Sequence, residues 1–428
     1  MRVPSSTELF RRDLMEQPVL FEEYSGARKV ILNRPSKLNT LTLEMVSQMS
    51  NKLQIYEGDH TVNLVILKGN GKAFCAGGDV IGNMCSILTG HWSYGASFYK
   101  KELTLDHLIA TYKKPLICLI DGVVMGGGAG ISMHGSFRVV TEKTVLAMPE
   151  ASIGLFPDVG ASYFLSKLPG YFGEYLGLTG ARIDGATMLA CGLATHFVFS
   201  KDLPPLEQAL SSVESSNASE ILSVISKYTH KSNVKEEEFH KRLKSINKCF
   251  SRQTVEDILH SLEEKLLDNF TEKWIADAVK NMKSASPTSL KIFLRSIREG
   301  RGQTIEQCLA REYTIFCNIV RRKITNDFYE GSRAILFDKV NKPKLSWANQ
   351  LLVISIGWAW GCSTAGVGML NSGLRVERHE ELVAVASLAA LIGLAAGIAG
   401  LRQQNKRKGP GEGEGREVRV CWVEVLLV

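Results

Sequence analysis

Three glycine-rich stretches hold the residue types best suited to chemistry in this sequence. They are GKAFCAGGD (71–79), VMGGGAG (124–130) and PEASIGLFPDVGAS (149–162), and each stands at the end of a predicted strand. Glycine after a strand lets the backbone approach a ligand and present its N–H groups. None of the three fits the phosphate-binding patterns G-x-x-x-x-G-K-S/T or G-x-G-x-x-G. Backbone donors directed at a developing oxyanion are therefore the better interpretation.

Short strands that alternate with amphipathic helices must position these stretches. Apolar runs predict strands at 29–33, 63–69, 115–122, 137–141 and 144–148, and helical periodicity predicts helices at 42–57 and 97–112. Such alternation is typical of an α/β core. From about Pro205 the pattern becomes helical, with amphipathic segments at 236–250, 254–270, 273–283 and 286–300. Ser286 before Pro287 is placed to cap the last of these helices.

The composition excludes several classes of protein. The chain has 428 residues, of which 45% are hydrophobic and 22% are charged, as in an ordinary folded protein. The net charge of +7 forms no basic stripe with interleaved aromatic residues, so no nucleic-acid partner is expected. The nine cysteines lack C-x-x-C spacing, which favours free thiols over disulfides or zinc, and no metal is expected. The N-terminus lacks the apolar core of a secretory signal.

Four motifs, taken together and in order, resemble a known family. NRPSKLNTL (33–41), GKAFCAGGD, VMGGGAGISMHG (124–135) and MPEASIGLFPDVGASYFL (148–165) are similar to the crotonase, or enoyl-CoA hydratase/isomerase, superfamily of acyl-CoA enzymes. With GLATHFV (192–198), SPTSLKI (286–292) and DFYEGSRAILFDK (327–339), the chain most resembles the 3-hydroxyisobutyryl-CoA hydrolase branch. The likeness extends over roughly residues 18–344.

The resemblance implies a fold and a domain organisation. The expected fold is α/β of the ClpP/crotonase type, a spiral of ββα units with a helical C-terminal region. The expected parts are an N-terminal segment 1–17, a core 18–204 with the acyl-CoA site, a helical region 205–344 and an atypical tail 345–428. No cofactor is expected other than the CoA that the substrate carries.

The resemblance also implies an acyl-CoA site. In that superfamily two backbone N–H groups bind the thioester oxygen, and by motif they belong to Gly78 and Gly127. Glu150 stands where the superfamily keeps a catalytic carboxylate, and Asp158 matches a second acid of the hydrolase branch. Glu102 aligns with a substrate-contacting carboxylate of that branch, so the acyl group is expected to meet Glu102, Gly127, Glu150 and Asp158. Contacts to CoA, mostly through backbone, map to Lys37, Leu38 and Ala76.

Gly130 departs from the hydratase pattern. Hydratases add water with two glutamates, the first of which lies three residues after the middle glycine of this loop, where this chain has Gly130. The loss leaves Glu150 as a nucleophile that forms a mixed anhydride or as a general base for water, with Asp158 assisting. The leading hypothesis is hydrolysis of 3-hydroxyisobutyryl-CoA, or of a similar short 3-hydroxyacyl-CoA, in valine catabolism.

Other functions and purely structural roles compete with this hypothesis. An enoyl-CoA isomerase needs only one carboxylate, and a non-catalytic, membrane-tethered acyl-CoA-binding protein needs none. Glu150 also fits a first-turn acid, Asp158 a cap for a helix that begins near Val159, and Glu102 a solvated helix face. Cys75 and His134 are interpreted as structural residues, and no Ser-His-Asp order is visible.

The tail lies outside the resemblance. It contains the uncharged stretches 351–370 and 382–401, and the second has 20 residues, enough at ~1.5 Å per residue to cross ~30 Å of hydrocarbon. A native tail, a membrane anchor and a variant 3′ end all fit this pattern, and a membrane partner is expected only if 382–401 is an anchor. The resemblance further implies a mitochondrial or peroxisomal location and a possible homo-oligomer, although the chain has no C-terminal peroxisomal tripeptide.

Overall fold

Pairs of short strands, each followed by a helix or a turn, build the first half of the chain. The computed structural model describes residues 17–231, 236–267, 272–339 and 343–345. Three pairs follow one another along the chain: β3 (Leu64–Gly69) with β4 (Ala73–Cys75), β5 (Leu116–Ile120) with β6 (Val123–Met125), and β7 (Phe137–Val140) with β8 (Val145–Ala147). The first strand of each pair joins one sheet and the second joins another. This repeat is the predicted spiral of ββα units.

The larger sheet contains four of the five strands that the sequence predicted, together with two that it did not predict. β1 (Val19–Tyr24), β2 (Ala27–Leu32) and β10 (His196–Phe197) complete it, and its order is β1-β2-β3-β5-β7-β10. Its neighbouring strands pair in parallel, except for the antiparallel hairpin of β1 and β2. Parallel strands are covered on both faces and therefore have continuous apolar sequences, which explains why these runs predicted them.

The smaller sheet sets the position of the candidate site. It has the order β4-β6-β8-β9, and β9 (Ile183–Asp184) pairs antiparallel with β8. β4, β6 and β8 are parallel, so their C-terminal ends meet at one edge. Gly78, Gly127 and Glu150 each follow one of these three strands within a few residues. The glycine loops and the first candidate acid therefore leave the sheet side by side.

Seven α-helices connect and cover the strands. They are α1 (Leu43–Gly58), α2 (Val80–Thr89), α3 (Trp92–Ala110), α4 (Gly127–Met133), α5 (Ala161–Phe164), α6 (Phe172–Thr179) and α7 (Gly185–Ala190). Short 3₁₀ helices occur at Pro35–Lys37, Glu150–Ile153, Leu165–Lys167 and Ser200–Asp202. The predicted helix 97–112 begins already at Trp92, because the His91 side chain accepts a hydrogen bond from the Ser93 N–H and caps it.

The second half is helical, as predicted. Its helices are α8 (Leu203–Ser211), α9 (Ala218–Ser226), α10 (Glu236–Phe250), α11 (Val255–Leu266), α12 (Lys273–Ser284), α13 (Pro287–Gly300), α14 (Ile305–Val320) and α15 (Asp327–Ser332), followed by a π-helical turn, Arg333–Phe337. Ser286 caps α13 as expected. α14 was not predicted, although Thr304 and Gln307 form a capping box at its start. The predicted domain division stays a prediction, and its 204/205 boundary falls within α8.

One apolar core joins the two halves. Phe172 of α6 is buried in the same cluster as Phe250, Phe293 and Phe316 of the helical region. The seven cysteines of the described residues are free thiols, as expected. The predicted apolar stretches 351–370 and 382–401 lie outside the described residues. Among the helices that are described, none has the length and apolar character needed to span a membrane.

Candidate active site

A cavity of about 860 Å³ opens at the edge where β4, β6 and β8 end. Its walls come from the loops after these strands, from α3, and from the helical region. Phe98, Phe316, Phe328, Ile335 and Leu336 supply the larger apolar side chains of the wall. This size and this mostly apolar lining are typical of a small-molecule site.

Two backbone N–H groups lie together in this cavity. The Leu41 N–H donates to the Gly77 carbonyl, and the Leu41 carbonyl accepts from the Asp79 N–H, both at 2.8 Å. The Gly78 N–H between them faces away from Leu41, because successive residues of an extended segment present their peptide groups to opposite sides. A Cβ placed on Gly127 would lie 3.2 Å from the Gly78 nitrogen. Gly78 and Gly127 therefore lie side by side, which a pair of oxyanion donors requires.

Two carboxylates approach the glycine loop so closely that a side chain on the loop would have to displace them. A Cβ on Gly127 would lie 2.3 Å from Oε1 of Glu102, and one on Gly126 would lie 2.8 Å from Oε1 of Glu150. Gly126 also has a φ of +48°, a left-handed conformation that favours glycine. Glu102 is only 3% exposed, so its alternative role on a solvated helix face is wrong. Glycine at both positions is what brings these acids onto the loop.

Asp158 is a further carboxylate on the cavity wall. Its Oδ2 accepts a 2.8 Å hydrogen bond from the Tyr99 hydroxyl, and both residues are buried. The alternative role of Asp158 as a helix cap is wrong, because α5 begins only at Ala161 and Gly160 is its N-cap residue. Tyr99 also lines the cavity and was missed in the sequence, where a tyrosine on a helix carries no signal of its partner.

Burial raises the pKa values of all three acids. It raises the pKa of Glu102 to about 8, with a further contribution from the charge of Asp158. It raises the pKa of Asp158 to about 7, against the lowering effect of the Tyr99 hydrogen bond. Burial and the charge of Asp158 hold the pKa of Glu150 well above its usual range. Buried acids that titrate near neutral pH in a cavity are typical of sites of proton transfer.

A fourth buried carboxyl group, Asp106, lies one turn after Glu102 on α3. Asp106 is fully buried, and within the described residues neither of its carboxylate oxygens has a hydrogen-bond partner. It is not among the residues that line the cavity. Burial, with the charges of Glu102 and Asp158, raises its pKa well above the usual range. Its spacing of four residues from Glu102 places both acids on one face of the helix, and this spacing was the only signal of Asp106 in the sequence.

We expect Asp106→Asn to stabilise the protein more at pH 8 than at pH 5. Folding raises the pKa of Asp106, so its contribution to stability is present at low pH and is lost as the pH rises towards the folded-state pKa. Asparagine does not titrate, so the gain in the free energy of unfolding on substitution should be roughly 2–4 kcal/mol larger at pH 8 than at pH 5. Urea unfolding at both pH values measures it, with Asp277→Asn at an exposed position of α12 as the control. An equal gain at both pH values would contradict the prediction.

Gly130, where hydratases carry their first glutamate, has no room for a side chain. A Cβ there would lie 2.7 Å from Cβ of Val159 and 2.9 Å from Oδ1 of Asp106. The space beside this glycine is therefore occupied by two other side chains. Restoring the hydratase residue requires both of them to move.

We expect Gly130→Glu to unfold more easily and to gain no hydratase activity. Overpacking and the burial of an unpaired carboxylate should together lower the free energy of unfolding by about 3 kcal/mol or more. Gly58→Glu is the matched control, because a Cβ at Gly58 meets no atom within 4 Å. Denaturant unfolding and an enoyl-CoA hydration assay measure the two effects. A stable Gly130→Glu variant that hydrates an enoyl-CoA would show that a functional glutamate fits beside Val159 and Asp106, and would contradict the prediction.

The structure supports two of the three predicted CoA contacts by position. Lys37 and Ala76 line the cavity, whereas Leu38 does not. The Leu38 carbonyl accepts a 2.9 Å hydrogen bond from the Ala76 N–H, and the Leu38 N–H donates to the Pro35 carbonyl at 3.1 Å. Both backbone groups of Leu38 are thus already used within the protein. The binding roles of all three residues stay predictions.

Two further cations on the wall were missed in the sequence. Arg34 donates to the Thr40 carbonyl at 2.7 Å and lies 3.3 Å from Oδ2 of Asp79. Arg182 is exposed and also lines the cavity, as Lys37 does. Arg34, Lys37 and Arg182 therefore place three cationic side chains on the cavity lining. No sequence motif distinguished the two arginines from ordinary surface charges.

Cys75 and His134 are structural, as interpreted from the sequence. Cys75 is fully buried, and its Sγ donates to the Asn39 carbonyl at 3.1 Å. Burial raises the pKa of its thiol to about 12, so the thiol form persists at neutral pH. Burial lowers the pKa of His134 to about 4. Within the described parts of the chain, no group of three or more His, Cys, Asp and Glu side chains has a metal-binding arrangement.

Comparison with known proteins places these features in a family. The sequence pattern of enoyl-CoA hydratase/isomerase matches residues 27–353. The chain is 50% identical over 329 residues to 3-hydroxyisobutyryl-CoA hydrolase 1 of Arabidopsis thaliana, covering 77% of this chain and 87% of that protein. It is 41% identical over 330 residues to 3-hydroxyisobutyryl-CoA hydrolase, mitochondrial, of Rattus norvegicus, covering 76% and 83%. It is also 42% identical over 329 residues to small ribosomal subunit protein mS47 of Arabidopsis thaliana, covering 77% and 80%.

A solved structure confirms the predicted fold. Carnitinyl-CoA dehydratase from Mycobacterium thermoresistibile superposes with a TM-score of 0.70 at 30% sequence identity, covering 84% of this chain and 98% of that one. The resemblance to the hydrolase branch is confirmed by the identity to the Arabidopsis protein. The chain therefore belongs to the enoyl-CoA hydratase/isomerase family, the crotonase superfamily.

Proposed function

We propose that this protein hydrolyses 3-hydroxyisobutyryl-CoA, and similar short 3-hydroxyacyl-CoA thioesters, to the free acid and CoA. One observation carries the proposal: Glu150 and Asp158 line the cavity that holds Gly78 and Gly127, and Gly130 leaves no place for a second hydratase glutamate. Relatives that bear the name of this hydrolase, at up to 50% identity, support it. The expected metabolic context is valine catabolism.

The proposed reaction begins with the thioester oxygen in the oxyanion hole. The N–H groups of Gly78 and Gly127 donate to this oxygen and stabilise the negative charge that develops on it. Because the pKa of Glu150 is raised, Glu150 must first lose its proton; its carboxylate then either attacks the carbonyl carbon, giving a mixed anhydride that water cleaves, or removes a proton from the attacking water. In both cases the C–S bond breaks and the sulfur leaves with its electron pair. One water is consumed, and one carboxylic acid and one thiol are formed.

Asp158 is proposed to handle the proton of the leaving group. The CoA sulfur leaves with its electron pair and takes up a proton to become the free thiol, and an acid with a pKa near the working pH can give this proton and regain one from water. The pKa of Asp158 is about 7, the result of burial partly offset by the Tyr99 hydrogen bond. Glu150 and Asp158 then have different tasks. Glu150 attacks the carbonyl carbon or activates the attacking water, and Asp158 assists the departure of the sulfur.

Glu102 is proposed to recognise the 3-hydroxyl group of the substrate. Its Oε1 has no hydrogen-bond partner within the described residues and lies against Gly127, close to where the thioester carbonyl would bind. A substrate without the hydroxyl would leave this buried carboxyl group unpaired. Sites that hydrogen-bond a substrate hydroxyl through a buried group strongly reject analogues that lack the hydroxyl. A preference for 3-hydroxyacyl over unsubstituted acyl groups follows.

Cationic side chains on the cavity lining suit the phosphates of CoA. Arg34, Lys37 and Arg182 all line the cavity, and guanidinium and ammonium groups are the usual partners of phosphate oxygens. We propose that the phosphates of CoA, as part of the substrate, bind to one or more of these cations. The reaction itself needs water and the residues already named, so no further cofactor is proposed.

Release of CoA across a panel of thioesters tests the proposal. 3-Hydroxyisobutyryl-CoA should release thiol fastest, and isobutyryl-CoA, which lacks only the hydroxyl, should be slower in kcat/KM by about 10²-fold or more. A thiol reagent follows the release, and chromatography identifies any CoA-bound product. Failure to release CoA, together with hydration or isomerisation of an enoyl-CoA, would overturn the proposal.

A non-catalytic role is the alternative that a comparison favours. One relative at 42% identity is named as a ribosomal subunit protein, so a sequence identity of this level does not by itself establish that a member of the family is an enzyme. Binding of CoA thioesters without turnover would identify this role here. The buried acids Glu102 and Glu150 argue against it, because each has a carboxylate oxygen without a hydrogen-bond partner among the described residues, and such groups cost stability without use in a purely structural member.

Location and assembly are proposed from the relatives alone. The rat relative is named as a mitochondrial protein, and we infer the same compartment for this chain. The peroxisomal alternative has no support in the names of the relatives described above. Self-association is proposed from the family resemblance, and light scattering of the full chain measures it.

A further inference from the structure

We propose that Glu312, on α14, is a positioning residue for Asp158: it fastens the turn that carries Asp158 and places a negative charge behind it. The inference rests on the proposed hydrolase function only for its kinetic readout. Glu312 was not singled out in the sequence, and it does not line the cavity.

The turn after Asp158 has a backbone conformation that needs external support. Val159 has a φ of +54° and Gly160 a φ of +82°, so two consecutive residues are left-handed. A β-branched residue seldom adopts this conformation, and its occurrence beside a functional residue requires contacts that hold it. The His134 ring hydrogen-bonds to the backbone of Val159, and the Val159 side chain lies against Gly130. These contacts fix one side of the turn.

Glu312 holds the other side with both of its carboxylate oxygens. Oε2 accepts from the Gly160 N–H at 2.8 Å, and Oε1 accepts from the Ser162 N–H at 3.2 Å and from the Ser162 hydroxyl at 2.6 Å. The Arg311 guanidinium donates to the Ser162 oxygen at 2.9 Å, which directs the Ser162 proton towards Glu312. Burial raises the pKa of Glu312, whereas the hydrogen bonds from Ser162 and Gly160 and the charge of Arg311 lower it and favour the ionised form. In that form Glu312 places a fully buried negative charge directly behind the turn of Asp158.

The same face of α14 also orients the hydrogen-bond donor of Asp158. Phe316, one turn after Glu312, stacks on the Tyr99 ring with 4.0 Å between ring centroids. Tyr99 in turn donates to Asp158 at 2.8 Å. One helix thus fixes both the turn that carries Asp158 and the hydroxyl that binds its carboxylate. The helical region does more than cover the core, because it sets the geometry of a candidate catalytic acid.

Several titratable and charged groups surround Asp158, and two of them act in opposite directions. The groups are Tyr99, Glu102 and Asp106 of α3, Glu150, His134 after α4, and Arg311 and Glu312 of α14. The charge of Glu312 raises the pKa of Asp158, whereas the Tyr99 hydrogen bond lowers it. Removing the charge of Glu312 should therefore lower the pKa of Asp158, and removing the Tyr99 hydroxyl should raise it. Loss of packing alone does not explain two shifts of opposite sign.

The test is the pH dependence of kcat for CoA release in the full chain. Glu312→Gln should shift the limb that belongs to Asp158 to lower pH by roughly one unit and lower kcat about tenfold, with KM within about twofold. Tyr99→Phe should shift the same limb to higher pH. Glu306→Gln is the matched control on α14, since its carboxylate pairs with His107 at 3.2 Å and should leave the limb in place. A limb that is unchanged in Glu312→Gln would overturn the proposal.

A second variant and a second readout keep the test decisive. Glu312→Asp retains the charge but is one methylene shorter, so it should lower kcat without moving the limb, and an unchanged kcat would contradict the positioning role. NMR titration of ¹³C-labelled aspartate carboxyl groups measures the shift of Asp158 without any turnover. If the wild type released no CoA, the proposed function would fail, while the NMR titration would still decide the role of Glu312.

Discussion

Glu150→Gln will lower kcat for CoA release by about 10³-fold or more and will leave KM nearly unchanged. Glutamine keeps the shape of the side chain but has neither a nucleophilic carboxylate nor a basic oxygen, so both candidate mechanisms lose their central group. The effect appears in kcat because the lost interaction belongs to the transition state and not to substrate binding. Steady-state thiol release with 3-hydroxyisobutyryl-CoA measures both constants.

The control for Glu150→Gln is a buried acid outside the cavity. Asp106→Asn makes the corresponding acid-to-amide change behind Glu102, at a group that does not line the cavity, and should keep kcat within about threefold of the wild type. Mass analysis of a quenched single turnover separates the two mechanisms, because a mixed anhydride leaves the acyl group on Glu150. A Glu150→Gln variant with kcat within tenfold of the wild type would show that the carboxylate has no central role.

Asp158→Ala will lower kcat for hydrolysis by about 10²–10³-fold. The leaving sulfur loses the acid that protonates it, and general acid catalysis is typically worth this factor. The Tyr99 hydroxyl also loses its partner at 2.8 Å, so some loss of stability is expected as well. Tyr99→Phe removes the same hydrogen bond but keeps the acid, and its much smaller loss of kcat separates the two contributions.

The same variant distinguishes hydrolase from isomerase. An enoyl-CoA isomerase needs one positioned carboxylate, which Glu150 supplies, so its rate would survive the loss of Asp158. Parallel assays of thiol release and of double-bond migration therefore decide between the two functions. If Asp158→Ala retained most of the wild-type double-bond migration, the result would favour the isomerase. If it retained most of the wild-type thiol release, the result would exclude Asp158 from the chemistry of hydrolysis.

Much of the α/β core was predictable because its parallel strands are buried on both faces. β3 and β5 contain continuous apolar runs in the sequence, β2 ends in one after Arg28 and Lys29, and the structure has all three strands at nearly the predicted positions. β4 and β6 have three residues each, too few for a periodic pattern, and were not predicted as separate strands. The glycine motifs that follow these two strands nevertheless located the site, because their conformational needs are local.

The contacts that complete the site have no local trace in the sequence. Glu312 reaches the Gly160 N–H across 152 residues of chain, and periodicity within α14 says nothing about such a partner. α3 carries Tyr99, Glu102 and Asp106, all buried because the helix packs between the core and α14. A charged stretch such as KKEL has the same sequence pattern on a solvated helix. The fold alone reveals that these acids face inwards.

The most direct test of the central claim is the fate of water oxygen. The full chain is incubated with 3-hydroxyisobutyryl-CoA in ¹⁸O-enriched water, and mass spectrometry follows the acid, the CoA thioester and free CoA. We predict one heavy oxygen in the carboxyl group of the released acid, free CoA in equal amount, and no label in the hydroxyl group of the remaining thioester. Heavy oxygen in that hydroxyl group, with the thioester intact, would instead mean reversible loss and addition of water, and would contradict the hydrolase assignment.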